Sequence, residues 1–349
     1  MIKLQPVTII GLGSYVPPEV LTNDGIRDMC PADIAKTEWT DDGWIFPRTG
    51  IRERRVAPPD WGSSDLMLPA ARRALVDANL TIDDIDLVIT STSFPDNGFD
   101  CPRTSEEFIR LIGAPQSILS ISENAECAGF VWALIRAQEM MTLYGYERVL
   151  VVSGDKTTVA TNYRDRKTCP LFGDAGGAVV LVPCDEGNGI LATIRGTDTE
   201  YIDAMEIPAG GSKMPASLET VEQGLHYMVM PGGADMLKVI GFRVFPALCR
   251  ELVAKTGISI EQVRHIIPHQ ANIRITNAAE GRLGRPIFKE TQLWFGNTSG
   301  STVPLALDTL YLHGELETGD YILIIGFGAG FIWGGLLIRW TKPRFRFQG

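Results

Sequence analysis

A short pattern occurs twice in this chain, and the repetition limits what it can fold into. TIDDIDLVI (81–89) and SIEQVRHII (259–267) share one register over nine residues: a hydroxyl residue, Ile, an acid, a spacer and then aliphatics. VLVVSGD (149–155) pairs with ILIIGFG (322–328), both apolar runs entering glycine turns, and FGDAGGAVVLV (172–182) pairs with FGAGFIWGGLLI (327–338). Order is kept while the intervening loops differ in length, so the chain holds two copies of one unit and not a solenoid of short repeats. Each copy mixes strand-like runs with amphipathic helical segments such as SSDLMLPAARRALVDANL (63–80) and ADMLKVIGFRVFPALCRELVAKTG (234–257), the signature of α/β sheets flanked by helices. The 349 residues suit two halves, expected at 1–185 and 186–349.

Charge narrows the partners. With 32 basic against 42 acidic residues the net charge is −10, so no overall field draws the chain onto nucleic acid or an anionic membrane. The N-terminal MIKLQPVTIIGLGSYVPPEV lacks the charged stem and long apolar core of a signal peptide, and the C-terminal YILIIGFGAGFIWGGLLIRW is glycine-laced and reads as two strands and a turn, not a membrane span. The expected location is the cytoplasm. Cys30, Cys101, Cys127, Cys169, Cys184 and Cys249 are widely spaced, with no CxxC pair or His cluster, so neither a zinc site nor a disulfide framework is expected.

Cys127 stands apart from the others. It follows the strand-like SILSIS (117–122) and precedes AGFVWALIRAQEMM (128–141), where Phe130, Leu134, Ala137 and Met141 recur at helical spacing. A thiol at a helix N-terminus meets unpaired amides and the positive end of the dipole, which lower its pKa and favour thiolate. A buried structural cysteine is the plain alternative. Two further polar residues fall at element ends in the second copy: His269 after the strand HII in PHQAN (268–272), and Asn297 in GNTSGSTVPLALDTL (296–310), ahead of another helix. Taken singly, His269 reads equally as a satisfied core residue and Asn297 as a turn or cap.

Together with WIFPRTGIRERR (44–55) and FGDAGGA (172–178), the segments ECAGF (126–130), PHQANIRI (268–275), GNTSGSTVPLAL (296–307) and FGAGFIWGG (327–335) resemble the β-ketoacyl-acyl carrier protein synthase III branch of the thiolase superfamily, from about residue 7 to 340. The resemblance implies a thiolase fold, two βαβ-rich halves in a five-layered αβαβα sandwich, and a homodimer. It implies a Cys127-His269-Asn297 active site, with an oxyanion hole from the main chain of Cys127 and of Gly328-Ala329-Gly330. By the same similarity, Trp44 and Arg166 flank the adenine of coenzyme A, Arg48 lies near its phosphates and Asn272 near its pantetheine arm. Lys238, Arg274 and Arg282, with Arg285, form a basic rim for an acidic acyl carrier protein. The implied reaction is acyl transfer to cysteine, then decarboxylative Claisen condensation with a malonyl-type thioester. Acyl-coenzyme A or acyl carrier protein thioesters serve as substrates, with no permanently bound cofactor and no metal.

The chain departs from that pattern in placing Glu126 beside the nucleophile, where the family usually has a small apolar residue. A carboxylate there either acts as a first-turn helix acid, the commoner role, or reaches the pocket, opposes thiolate formation and serves as a base toward another acceptor. The segments 30–43, 93–104 and 201–224 are long and polar enough to reshape a substrate tunnel. Three rival readings follow: a thiolase-fold acyltransferase that passes the acyl group to an O, N or carbon acceptor without decarboxylation, a papain-like hydrolase with the same Cys-His-Asn order, and a non-catalytic partner subunit. The duplication argues against the hydrolase and the intact polar trio against the silent partner.

Overall fold

A computed structural model describes residues 3–30, 41–97 and 103–345. Its strands are β1 (Val7–Tyr15), β2 (Glu19–Thr22), β3 (Glu53–Val56), β4 (Leu87–Ser91), β5 (Leu119–Glu123), β6 (Val149–Asp155), β7 (Ala175–Pro183), β8 (Gly189–Thr197), β9 (Val263–Pro268), β10 (Tyr321–Gly328) and β11 (Ile332–Arg339). They form one sheet ordered β1-β7-β6-β4-β5, a second ordered β8-β11-β10-β9, and a small β2-β3 ribbon. β4 and β6 run parallel while β7 is antiparallel to both β6 and β1, and the second sheet repeats this with β9 and β10 parallel and β11 antiparallel to β10 and β8.

The repeated sequence pattern is thus one local structure built twice. Thr81 N–H donates to Asp84 Oδ2 (2.8 Å) at the 3₁₀ turn before β4, and Ser259 N–H donates to Gln262 Oε1 (2.9 Å) at the turn before β9. A short hydroxyl residue followed three positions later by an oxygen acceptor closes the turn and releases the chain as a strand.

Strand alternation divides the core into layers. Leu87, Ile89, Val149, Val151, Val179 and Leu181 of the first sheet and Ile267, Ile322, Ile324, Leu336 and Ile338 of the second face a shared interior, filled by the helices Gly129–Tyr144 and Thr302–Leu312. The intervening Val88, Leu150, Val152, Ala178 and Val180 face outward under the Ser63–Asp77 and Arg103–Ile112 helices. Leu323, Ile325 and Leu337 face the Phe245–Thr256 and Ile273–Leu283 helices. The result is the five-layered αβαβα sandwich. A helix between two sheets buries most of its circumference, which is why Phe130, Val131, Leu134 and Ile135 are all buried, each aliphatic contributing about 1.5–3 kcal/mol.

One expected helix is interrupted. The 234–257 segment runs as Gly233–Val239, a π turn Ile240–Val244, and then Phe245–Thr256. Pro246 has no N–H to offer the carbonyl four residues back, so the ladder widens by one residue just before it. The extra residue buries Ile240 and Gly241 and leaves Phe242 52% exposed. The first of the three long polar segments falls largely in 31–40 and the second in 98–102, together with Cys101, outside the described residues.

Close packing against the first sheet depends on glycine. A Cβ on Gly176 would lie 2.1 Å from the Leu66 carbonyl oxygen, whereas one on Gly281, in a helix and with ordinary φ, would meet nothing within 4 Å. We expect Gly176→Ala to lower unfolding free energy by about 2–3 kcal/mol or more, and Gly281→Ala to raise it by about 0.5–1 kcal/mol, both measured by urea denaturation.

Candidate active site

The helix Gly129–Tyr144 is entered through a 3₁₀ turn, Glu126–Ala128, whose first residue has a left-handed φ of 49°. This turn fixes Cys127 at the buried head of the central helix, only 9% exposed. The end of β10 presses against it. A Cβ on Gly328 would lie 2.8 Å from the Cys127 amide nitrogen and 2.9 Å from Glu126 Cβ, so only glycine allows the approach.

His269 directly follows β9, anchored by its N–H to the Ile325 carbonyl (2.7 Å), with its ring edge-on to Phe327 at 5.2 Å. Asn297 is held from the other half. Its N–H donates to Leu171 O (2.8 Å) and its carbonyl accepts from Gly173 N–H (3.0 Å), so the FGDAGG loop of the first half places the asparagine of the second. Its side-chain Oδ1 accepts from Ser299 N–H at 2.9 Å, which leaves the NH₂ as the group Asn297 can offer.

Cys127, His269 and Asn297 line one cavity of about 560 Å³. Trp44, Arg48, Arg166, Asn272, Arg274, Gly328 and Ala329 line it as well, with Met205, Met230 and Met236 among its apolar wall. The three reactive candidates are buried, while Arg48, Arg166, Lys167 and Arg274 are exposed, so the cavity has a buried inner end and a basic outer one. Met205 comes from the third long segment, 201–224, which therefore shapes this wall.

Burial sets the protonation states. The Cys127 thiol is pushed up to about 12, chiefly by desolvation and further by Glu126 and Asp155, against a hydrogen bond from Ser299. The helix N-terminus was expected to favour thiolate, and the structure opposes this: burial and two nearby carboxylates hold the resting sulfur as a thiol. Desolvation drives His269 down to about 3, opposed by a main-chain hydrogen bond to Ser299, so the imidazole is neutral; its buried Nδ1 has no partner. Glu126 is not among the cavity-lining residues. Its influence on Cys127 is a charge at short range, not a side chain in the pocket.

At the outer end, Arg48 sits over the Trp44 ring at 4.5 Å and donates to the Trp44 carbonyl (3.0 Å). Asn272 caps the Ile273–Leu283 helix, Oδ1 accepting from Arg274 N–H at 2.9 Å. Lys238 and Arg282 stand outside the cavity lining on the two helices that flank its mouth; Lys238 pairs with Asp235 and Arg282 lies over Phe242 at 5.4 Å. Arg285 does not join a rim: its half-buried guanidinium donates to Val263 O (2.6 Å) and braces β9.

Sequence reasoning passed over Ser299, which contacts Cys127, and Ser93 and Asp155, which stand behind it. Ser299 Oγ donates to Cys127 Sγ at 3.4 Å and is 2.8 Å from Ser93 Oγ. Asp155, raised to about 6 by desolvation, accepts from the N–H groups of Ser93 (2.8 Å) and Ser301 (3.1 Å). Serines are common in turns, and nothing in the linear spacing sets these apart.

A family model for 3-oxoacyl-[acyl-carrier-protein] synthase III matches residues 123–199, and one for the C-terminal part of that family matches 253–340. Beta-ketoacyl-[acyl-carrier-protein] synthase III of Symbiobacterium thermophilum is 39% identical over 342 residues, 97% of this chain and 100% of the relative. The chain belongs to the β-ketoacyl-acyl carrier protein synthase III family. Its members are acyltransferases that join an acyl primer to a malonyl-type extender by decarboxylative condensation. Among solved synthase III structures, that of Aquifex aeolicus superposes with a TM-score of 0.83 at 33% identity, covering 96% of this chain and all of the other. A priming β-ketosynthase of a polyketide biosynthetic pathway superposes at 0.84 with 31% identity and 98% coverage of both chains.

His269 ties stability to pH. Its pKa is lower folded than unfolded, so the unfolded chain binds the extra proton and this contribution, complete above about 6.5, is lost as pH falls toward 3. Asp155 acts oppositely, its raised pKa favouring the native state as pH falls through 6. We expect His269→Asn to remove a slope of up to about 1.4 kcal/mol per pH unit from the acid limb, measured as denaturation midpoints of both proteins across that range.

Proposed function

We propose that Cys127 is the acyl-accepting nucleophile of this synthase III and that His269 and Asn297 activate its malonyl-type extender. The observation that carries the assignment is the convergence of these buried polar side chains, drawn from both halves, at the buried end of a cavity with a basic mouth. In the first step Sγ adds to the thioester carbonyl of the primer, and the oxyanion meets the main-chain N–H groups of Cys127 and Ala329. The C–S bond to the carrier breaks, and the departing thiol takes the proton that Cys127 gives up.

In the second step the extender's bond to its carboxylate breaks, carbon dioxide leaves, and the electron pair enters an enolate. The Asn297 NH₂ and the single N–H of neutral His269, which leaves the Ser299 main chain for it, are the donors for that enolate oxygen. The enolate carbon attacks the acyl carbonyl, the bond to Sγ breaks, and the sulfur regains a proton from solvent. A buried site strengthens each hydrogen bond to developing charge.

The outer end suits a phosphorylated carrier. Trp44 and Arg166 would hold an adenine, Arg48 the phosphates, and the Asn272 NH₂ the pantetheine arm. Since Arg48 covers one face of Trp44, the base would use the other face or displace the guanidinium. Arg274, Lys238 and Arg282 would receive an acidic acyl carrier protein on a chain otherwise at −10. A homodimer belongs to the same reading. Among the described residues β5 ends its sheet with an open edge and Leu119 43% exposed, and a second copy would cover it.

Intact mass after incubation with a panel of acyl thioesters should show one acyl adduct, absent in Cys127→Ala. Chasing the adduct with malonyl thioester should release one carbon dioxide per acyl group consumed; acyl loss without carbon dioxide would replace condensation by simple transfer. Arg274→Glu should raise KM for carrier-protein substrates about tenfold while changing that for coenzyme A thioesters far less, as steady-state kinetics at low and high salt would reveal.

A further inference from the structure

Ser299 touches all three members of the polar trio. Its Oγ donates to Cys127 Sγ (3.4 Å), its N–H donates to Asn297 Oδ1 (2.9 Å), and its main chain is hydrogen-bonded to the His269 ring. Its position is fixed by the duplication. Ser299 has a left-handed φ of 52° and opens the 3₁₀ turn Ser299–Ser301 before the Thr302–Leu312 helix, just as Glu126, at 49°, opens the turn before Gly129–Tyr144. The two turns meet at the centre of the molecule, and the hydroxyl of one reaches the sulfur of the other.

The proton count orients the chain of hydroxyls. Ser299 has one O–H, and it is spent on Sγ; the 2.8 Å contact with Ser93 Oγ therefore has Ser93 as donor. Ser93 is in turn held by its N–H on Asp155 Oδ1 at 2.8 Å. A donor whose own oxygen accepts a hydrogen bond is polarised, and it binds an anion more strongly than a neutral partner.

We infer that Ser299 is a fourth catalytic residue: its hydroxyl, oriented by Ser93, stabilises the Cys127 sulfur when it is anionic, on entering acyl transfer and on leaving after condensation. Ser93 acts through Ser299 and is a positioning residue. Once acylated, the sulfur is neutral and the bond weakens, so the hydroxyl favours the charged states over the resting ones. The inference rests on Cys127 being the nucleophile. The groups facing the sulfur are Glu126, Asp155 and the neutral His269; above pH 7.5 neither Asp155, at about 6, nor His269, at about 3, titrates.

The test is alkylation of Cys127 by iodoacetamide from pH 7.5 to 10.5, followed by peptide mass, in the full-length protein and in Ser299→Ala, Ser299→Gly and Ser93→Ala. Glycine is at ease at φ 52°, so the second variant removes the hydroxyl without a folding penalty. Both Ser299 variants should alkylate about tenfold more slowly at each pH, with the profile displaced upward by about one unit, and Ser93→Ala should show a smaller displacement that vanishes in the Ser299→Ala background. Wild-type rates and profile in folded Ser299→Gly would overturn the role of Ser299 while leaving Cys127 in place. Failure of Cys127 to alkylate even in the wild-type protein would overturn the nucleophile assignment and this inference with it.

Discussion

The helices Gly129–Tyr144 and Thr302–Leu312 are wedged between the two sheets with most of their side chains buried, and the site depends on that confinement. A helix packed into both sheets cannot slide or tilt without opening voids among Phe130, Leu134, Val303 and Leu307, and each such void costs stability. Their N-terminal turns are therefore held where they meet. Cys127 rides on one turn and Ser299 on the other, while Asn297 is pinned two residues before Ser299 by the Leu171–Gly173 loop.

The internal repeat also explains why the polar residues converge. In the aligned copies the position after β9 that carries His269 corresponds to Ser91 at the end of β4, and the turn that carries Glu126 corresponds to that of Ser299. Two copies of one frame, joined through their central helices, bring equivalent element ends together. Different side chains at those ends then divide the work, with a sulfur on one side and hydrogen-bond donors on the other.

Confinement has an electrostatic consequence. Burial keeps the thiol protonated, the imidazole neutral and Asp155 near 6, so the resting site holds few full charges at its inner end. Charge appears there only during reaction, where fixed donors act without solvent reorganisation. The exposed cations stay at the mouth, where substrates carrying phosphate or acidic groups arrive.

Much of this was legible in the chain itself. The paired 81–89 and 259–267 segments specify the same 3₁₀ turn and strand because the hydroxyl-to-acceptor spacing and aliphatic alternation are local properties, and the flanking motifs of Cys127, His269 and Asn297 were sufficient to bring the resemblance to a synthase III. The sequence likewise contained Pro246, though its effect, a π turn inside an otherwise continuous amphipathic run, depends on which carbonyl it leaves unpaired. Only tertiary structure decided the state of Cys127. A helix N-terminus favours thiolate, but desolvation and the carboxylates of Glu126 and Asp155 outweigh it, and burial is a property of the assembled layers. Nor could local pattern reveal Ser93 and Ser299, residues 206 positions apart whose hydroxyls meet at 2.8 Å, because their partnership is created by the packing of two sheets around two shared helices.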